Sequence, residues 1–447
     1  MFPITKDMLD SVLASFGITD ITKATIRQMC SVAAELEKTA GEDFIHLEIG
    51  NPGLPAATIG VEAECAALRG GIANQYPAIQ GIPVLKENAA KFTKAFLDVD
   101  LKPEFIIPTV GSMQGSFTLM LLLKHRDEKK DTMLFLNPGF PAQRTQAHVL
   151  GMRQESFDIY EFRGKKLEEK LESYFSTGRI TALIYSNPNN PAWTNLTHEE
   201  YGIIARMAEK HDIIVVEDNA YLGMDFRQRY GIPYREPFVP TIAKYTSRCI
   251  LLVSASKIFS YAGQRIAMVC MSPEVADRVY PFFEQFYEMP TFGDAYIYGV
   301  LYCASSGTAH SSQYAFAEMM KAAVEGKLDF VDTSKEYGRR AAIAKRMLLE
   351  NGFHIVYDRD GDQPISDGFF FTVGYRDMKG DELQKELLRY GISTISLPST
   401  GSRQQGVRVC VSMLCDEGSF TRLSDRLETF ALDHSSEKTR RAELQTI

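Results

Sequence analysis

The chain has one tryptophan and seven cysteines in 447 residues, and no stretch approaching the roughly 18 apolar residues of a membrane span. The cysteines (Cys30, Cys65, Cys249, Cys270, Cys303, Cys410 and Cys415) are odd in number and never form a C-x-x-C pair. That excludes a disulfide-stapled scaffold and reads as reduced thiols of a cytoplasmic protein. Positive charge is also short, with 49 Lys and Arg against 57 Asp and Glu for a net charge of −8. Without clustered cations there is no footprint for nucleic acid or for an anionic membrane surface. Eight histidines lack paired spacing, so no metal is expected. Repeats, low-complexity tracts and Pro/Gly/Ser linkers are missing too, so domain limits must come from changes of element type. The first residues, MFPITKDMLDSVL, carry acids and lack the continuous apolar run of an export signal. Small-molecule chemistry is the reading these absences leave.

What is present is ordinary globular material, 45% hydrophobic and 24% charged, enough for a sizeable core and for two or three domains. Short apolar runs alternate with helical patterns through the middle: FIIPTV at 105, MLFLN at 133, ITALIYS at 180, DIIVVED at 212, CILLVSAS at 249 and IAMVCM at 266. Strands buried on both faces and separated by helices predict an α/β architecture, a mostly parallel sheet between helices. In such sheets ligands bind beyond the carboxyl ends of the strands. Polar clusters follow five of the runs: Gly111-Ser112-Met113-Gln114, Asn137-Pro138-Gly139-Phe140, residues 186–191 (SNPNNP), Asp218-Asn219-Ala220-Tyr221 and Ser254-Ala255-Ser256-Lys257. From about residue 310 the texture becomes α+β, with a helical stretch over 313–350, then GFFFTVGY, DELQKELLRYG and GVRVCVS. The expected division is a large domain over 50–310 and a smaller α+β domain over 311–447. Residues 1–49 would join the small domain or a dimer interface.

The clusters together meet the needs of an aromatic aldehyde cofactor with a phosphate tail. Lys257 would supply the Schiff-base amine, since a desolvated lysine falls below its usual value and can attack a carbonyl or carry a proton. Asp218 would pair with the ring nitrogen, Asn190 and Tyr221 would donate to the phenolate, and Phe140 would lie on the ring face. The amides of Gly111, Ser112, Met113 and Gln114, with Ser254, Ser256 and Arg265, would hold the phosphate. Gly263 would allow a close backbone turn.

These residues carry a family resemblance. From about residue 44 to 430 the chain resembles the class I/II aminotransferases, the pyridoxal-phosphate enzymes of fold type I. The resemblance lies in N-P-N-N-P at 187–191, D-N-A-Y at 218–221, S-A-S-K at 254–257 and G-Q-R ending at Arg265. LEIGNPG at 47–53 looks like the family's segment beside the substrate carboxylate, which brings in Gly50. YPAIQGIPVLKENAAKF looks like the segment whose tyrosine, here Tyr76, reaches the phosphate of the neighbouring subunit. The resemblance implies pyridoxal 5'-phosphate, a homodimer, and a ping-pong exchange between an amino acid and a 2-oxo acid. Lys257, Asp218 and Tyr221 would be the catalytic groups. It also implies that Arg408, in VRVCVS, binds the substrate carboxylate, a task a planar guanidinium performs bidentately. A β-lyase or an amino-acid decarboxylase is the alternative on the same scaffold, and a non-catalytic regulator binding the cofactor is a remote one.

Two features set this chain apart. Ala192-Trp193 stands where the family usually has a small hydroxyl residue and glycine. Between Val279 and Met320 there is no Arg or Lys, whereas Phe282, Phe283, Phe286, Tyr287, Phe292, Tyr296, Tyr298 and Tyr302 are all there. The second feature disfavours a dicarboxylic donor held by a partner-subunit arginine and leans toward an apolar or aromatic donor. Core or dimer interface is the other reading of these aromatics.

Overall fold

The structure, a computed structural model, describes residues 2–444, with side chains as far as residue 435. The strands are β1 (Ile45–His46), β2 (Ile106–Val110), β3 (Thr132–Asn137), β4 (Arg153–Asp158), β5 (Ile180–Ser186), β6 (Ile214–Asp218), β7 (Cys249–Ser254), β8 (Ile266–Met271), β9 (Phe353–Ile355), β10 (Arg359–Asp360), β11 (Gln363–Pro364), β12 (Phe370–Tyr375), β13 (Ile392–Ser393), β14 (Ile395–Ser396) and β15 (Val407–Cys410). A seven-stranded sheet runs β2-β8-β7-β6-β5-β3-β4. It is parallel except for β8, which lies antiparallel between β2 and β7. Each of the six apolar runs forms one of its strands. The remaining strand, β4, reads RQESFD and sits at the sheet's edge, where alternate side chains face water and no hydrophobic run is needed.

The register explains where the polar clusters meet. Because β8 runs backwards, its start lies beside the ends of its neighbours: Val110 pairs with Ile266, and Ser254 with Ala267. Gly111, Arg265 and the turn after Ser254 therefore share one edge. On the parallel side Ser186 pairs with Asp218, so the clusters after β5 and β6 open on that same edge.

The smaller domain is built on the antiparallel sheet β14-β15-β12-β9. The N-terminal segment is tied into it. β1 pairs with β13, the Leu47 carbonyl accepts the Cys410 N–H at 3.0 Å, and Met29, Val32 and Leu36 pack with Leu388 and Ile395. The expected helical stretch over 313–350 is two helices, His310–Val324 and Phe330–Glu350, separated by a turn in which Gly326 takes φ 72°. The first of them packs against Thr58–Arg69 and Pro83–Leu97. It thus belongs with the large domain and not with the region after residue 310 expected for the smaller one. Among the described residues no helix is long and apolar enough to cross a membrane, and no three His, Cys, Asp or Glu side chains gather to hold a metal.

Candidate active site

At the end of β7, Ser254 turns the chain into the short helix Ala255–Ile258, its Oγ accepting the Ser256 N–H at 3.1 Å. That helix holds Lys257 partly buried, its Nζ donating to the Gly50 carbonyl and lying 5.3 Å from the centre of the Phe369 ring. Burial brings the ammonium down to about 8; Cys410 opposes this, and the charges of Arg265, Arg408 and Arg27 add to it. A Cβ at Gly50 would stand 3.8 Å from Nζ and 3.5 Å from the Phe369 and Phe370 rings, all ordinary contact distances.

Asp218 ends β6, 6% exposed, and accepts Gln143 Nε2 at 3.0 Å and the Ala220 N–H at 3.2 Å. Burial pushes its carboxyl up to about 6; the two donors pull it back and neighbouring Glu217 adds to the rise. Gln143 was not foreseen from sequence. It lies one turn beyond Phe140, the residue that caps helix Pro141–Val149, and this spacing was the available signal. Tyr221 is boxed by Trp193, Phe369 and Phe370, with ring centres 5.3–5.5 Å away, and burial raises its phenol. Phe369, just before β12, and Phe370, on it, were also missed, because only the tertiary fold brings them under Lys257 and Arg408.

Arg408 projects from β15, 1% exposed, with its guanidinium 4.6 Å from the Phe370 ring centre. Nη1 donates to Asn190 Oδ1 at 3.2 Å and Nη2 to the Glu48 carbonyl, while Nε has no partner. A buried guanidinium with a free N–H suits a carboxylate ligand.

At the shared edge, helix Gly111–Lys124 presents its first N–H groups, with Gly111 at φ 67°. Arg265, at φ 52°, packs so closely that a Cβ on Gly111 would fall 2.3 Å from its Nη2. Ser112 Oγ is buried without a partner. Gln114 braces the turn, its Oε1 accepting the Val110 N–H at 2.8 Å, and Met113 is exposed at the turn's outer side. Ser256 is partly buried beside Lys257.

One expectation is corrected. Gly263 is not at a positive φ and has nothing near an added Cβ; the left-handed positions of that turn are Ser260 and Arg265. Tyr76 is 93% exposed and does not join the other groups within this chain. Of the aromatics after Val279, Phe283, Phe292 and Tyr296 fill the core beside Leu119 and Met120, and Tyr287 bonds His125 at 2.7 Å. Phe286 stacks on His125, while Tyr298 and Tyr302 are exposed. Four of the eight rings, Phe283, Tyr287, Phe292 and Tyr296, are thus committed to packing within this chain. Trp193, left-handed at φ 63° and fully buried, lies against Gly368, where a Cβ would fall 2.0 Å from its Cε2.

Residues 42–427 match the family model for class I and II aminotransferases. Among curated proteins, a probable aspartate aminotransferase of Methanocaldococcus jannaschii is 27% identical over 245 residues, covering 55% of this chain and 61% of that protein. The transaminase BacF of Bacillus subtilis is 27% identical over 318 residues, covering 70% of this chain and 75% of that one. The matches to the first three curated relatives span 55–61% of those proteins' own lengths. Among solved structures, aspartate aminotransferase from Thermus thermophilus with maleate aligns with TM-score 0.72 at 19% identity, over 91% of this chain and 96% of that one.

Proposed function

The chain belongs to the class I and II aminotransferases, and we propose that it moves an amino group from an α-amino acid to a 2-oxo acid with pyridoxal 5'-phosphate as cofactor. The observation that carries this is the meeting, on one sheet edge, of a lysine brought down to about 8 with a buried carboxylate that has no cationic partner. The residues fit the cofactor. The unpartnered Ser112 hydroxyl, the open N–H groups of helix Gly111–Lys124 and the Arg265 guanidinium form an anion cradle. When bound, the cofactor supplies an electron sink for charge developed at the substrate's Cα.

The chain's own groups do the rest. Near neutral pH only about a tenth of Lys257 is already neutral, far more than of a free lysine, so its amine can bond a carbonyl and afterwards take and return the Cα proton. Asp218, oriented by Gln143, holds a proton on the ring nitrogen. Asn190 and Tyr221 would donate to the cofactor's phenolate, and Phe140 would lie on its ring. Arg408, bonded to Asn190, receives the substrate carboxylate beneath Gly50. Tyr76 reaches the phosphate of a second copy, which its exposure favours, so the working form is a homodimer. We assign residues 1–49 to the small domain and place the passage between domains along helix Phe330–Glu350.

The test is to add pyridoxal phosphate, follow the visible absorbance, reduce with borohydride and map the labelled peptide. Label on Lys257, lost in Lys257→Ala together with turnover of an amino acid and a 2-oxo acid, is the expected result. Label on another lysine overturns the assignment. Release of ammonia and pyruvate without an acceptor would convert the reaction to elimination.

A further inference from the structure

The hairpin β10–β11 lies in the chain between β9 and β12 of the smaller sheet, and its Asp360, paired with Gln363, is buried. Three donors hold this carboxylate, and all come from the large domain. Oδ1 accepts Arg163 Nη1 at 3.1 Å and the Asn195 N–H at 3.0 Å, while Oδ2 accepts Arg227 Nη2 at 2.6 Å. The Arg163 guanidinium also donates to both oxygens of Glu200, at 2.6 and 2.8 Å, and to the Asn195 carbonyl at 2.7 Å. Asn195 is thus gripped at its N–H by the hairpin and at its carbonyl by Arg163.

These ties lead to the proposed cofactor site along two loops. Asn195 closes the loop after β5, in which the Asn189 N–H donates to the Thr194 carbonyl and the Trp193 N–H to the Asn189 carbonyl, both at 3.0 Å, so Asn190 is carried within it. Arg227 is held by Asp225, Nε and Nη2 donating to its two oxygens at 2.8 and 2.7 Å. Asp225 follows Met224, whose N–H donates to the Tyr221 carbonyl at 3.0 Å, in the loop after β6. Oδ1 of Asp360 therefore fastens the Asn190 loop and Oδ2 the Tyr221 loop. On its own side the chain runs from the hairpin through Gly368, packed on Trp193, to Phe370 under Arg408, whose Nη1 donates to Asn190. Charge-assisted bonds largely shut away from water are directional and little screened, so they fix geometry more firmly than an exposed pair.

We propose that Asp360 is a positioning residue, one buried carboxylate that holds the two phenolate donors of the large domain, Asn190 and Tyr221, at a set distance from the substrate-carboxylate arginine of the smaller one. This rests on the pyridoxal-phosphate reading of the site. A loosened loop grips the phenolate less and leaves that oxygen more basic. It also lets the spacing between Asn190 and Arg408 vary, which weakens the hold on the substrate.

Two features of the same seam shape the test. The Tyr160 hydroxyl donates to Asp358 at 2.6 Å on the exposed rim, a second bond between the domains that serves as the control. A cavity of about 560 Å³ beside the hairpin has Arg163, Asn195, Arg227 and Asp360 in its lining, room for a small carboxylate once the Asp360 side chain is cut back. The experiment compares holoenzymes of wild type, Asp360→Ala with and without formate, and Tyr160→Phe. Its readouts are the pH at which the bound cofactor's visible band titrates, and KM against kcat for the best donor among aspartate, glutamate, leucine and phenylalanine. Asp360→Ala is expected to move the titration up by about half to one pH unit and to raise KM about five- to twentyfold, with kcat within about threefold. Formate, meeting both guanidinium groups, should return about half of each change and leave wild type as it is. Tyr160→Phe should stay within about twofold of wild type in KM. An unchanged titration and KM in Asp360→Ala, a shift that formate does not touch, or an equal change in Tyr160→Phe overturns the proposal. Should Asp360→Ala not fold, Arg227→Gln cuts the tie to the Tyr221 loop alone and must move the titration in the same direction; no change there is equally fatal. A wild-type protein that binds no pyridoxal phosphate, or shows no visible band with it, would overturn the cofactor reading itself and this proposal with it.

Discussion

Adding one methyl group at Gly111 separates the two halves of the proposed cofactor site. The residue sits at φ 67°, and an alanine there costs about 1–2 kcal/mol in backbone strain. Its Cβ would stand 2.3 Å from Arg265 Nη2 and 2.9 Å from Cζ, against an ordinary contact of about 3.5 Å. The guanidinium, at the end of a flexible side chain, must then swing away by about 1 Å or more. A charge-assisted bond to phosphate contributes about 1.5–3 kcal/mol, which sets the expected loss of affinity for pyridoxal phosphate at about 10- to 100-fold. Phosphate-free pyridoxal makes no such bond, so its affinity for Gly111→Ala should stay within about threefold of wild type. Equilibrium dialysis of both compounds against both proteins is the assay. Equal weakening of the two, or undiminished binding of pyridoxal phosphate, would refute the cradle as drawn.

Lys257 gives a pH signature before any cofactor is added. The unfolded lysine holds its proton up to about 10.5 and the folded one only to about 8. Between these the unfolded state binds more protons, so stability rises with pH. The cofactor-free Lys257→Met variant should therefore exceed wild type at neutral pH by up to about 3 kcal/mol, with the gap closing near pH 10.5 in urea titrations. Arg408→Lys should cost roughly 10- to 100-fold in kcat/KM for amino acid donors, because one ammonium cannot replace a bidentate fork; a change under threefold would place the carboxylate elsewhere. Gly368→Ala drives a methyl into the buried indole of Trp193 and should destabilise the fold by about 1–3 kcal/mol with a shift in emission of this single tryptophan. Sedimentation should give twice the mass of one chain, with Tyr76→Phe weakening cofactor binding but not pairing.

Six of the seven strands of the large sheet were legible because β2, β3, β5, β6, β7 and β8 are buried on both faces and so read as continuous apolar runs. β4 was hidden by its place at the edge. Lys257, Asp218, Asn190 and Arg265 could be singled out as candidates because a strand end followed by a polar cluster has few other uses in such a sheet. Gly263 was misjudged since glycine marks freedom and not its use: the left-handed turns fell to Ser260 and Arg265, which the surrounding structure holds in place. The aromatic run after Val279 was left open by the sequence for a related reason. Composition reports that rings are there, while only packing decides between pocket, core and surface.

The sequence by itself determined where the candidate reactive groups stand in the chain, since they lie within a few residues of strand ends and their spacing is local. The tertiary structure decided how those groups are tuned. Gln143 on Asp218, Phe370 under Arg408 and the Glu48 carbonyl on the same guanidinium meet through strand register and domain packing. Burial and charge act through space, and distance in space is what the order of residues does not record.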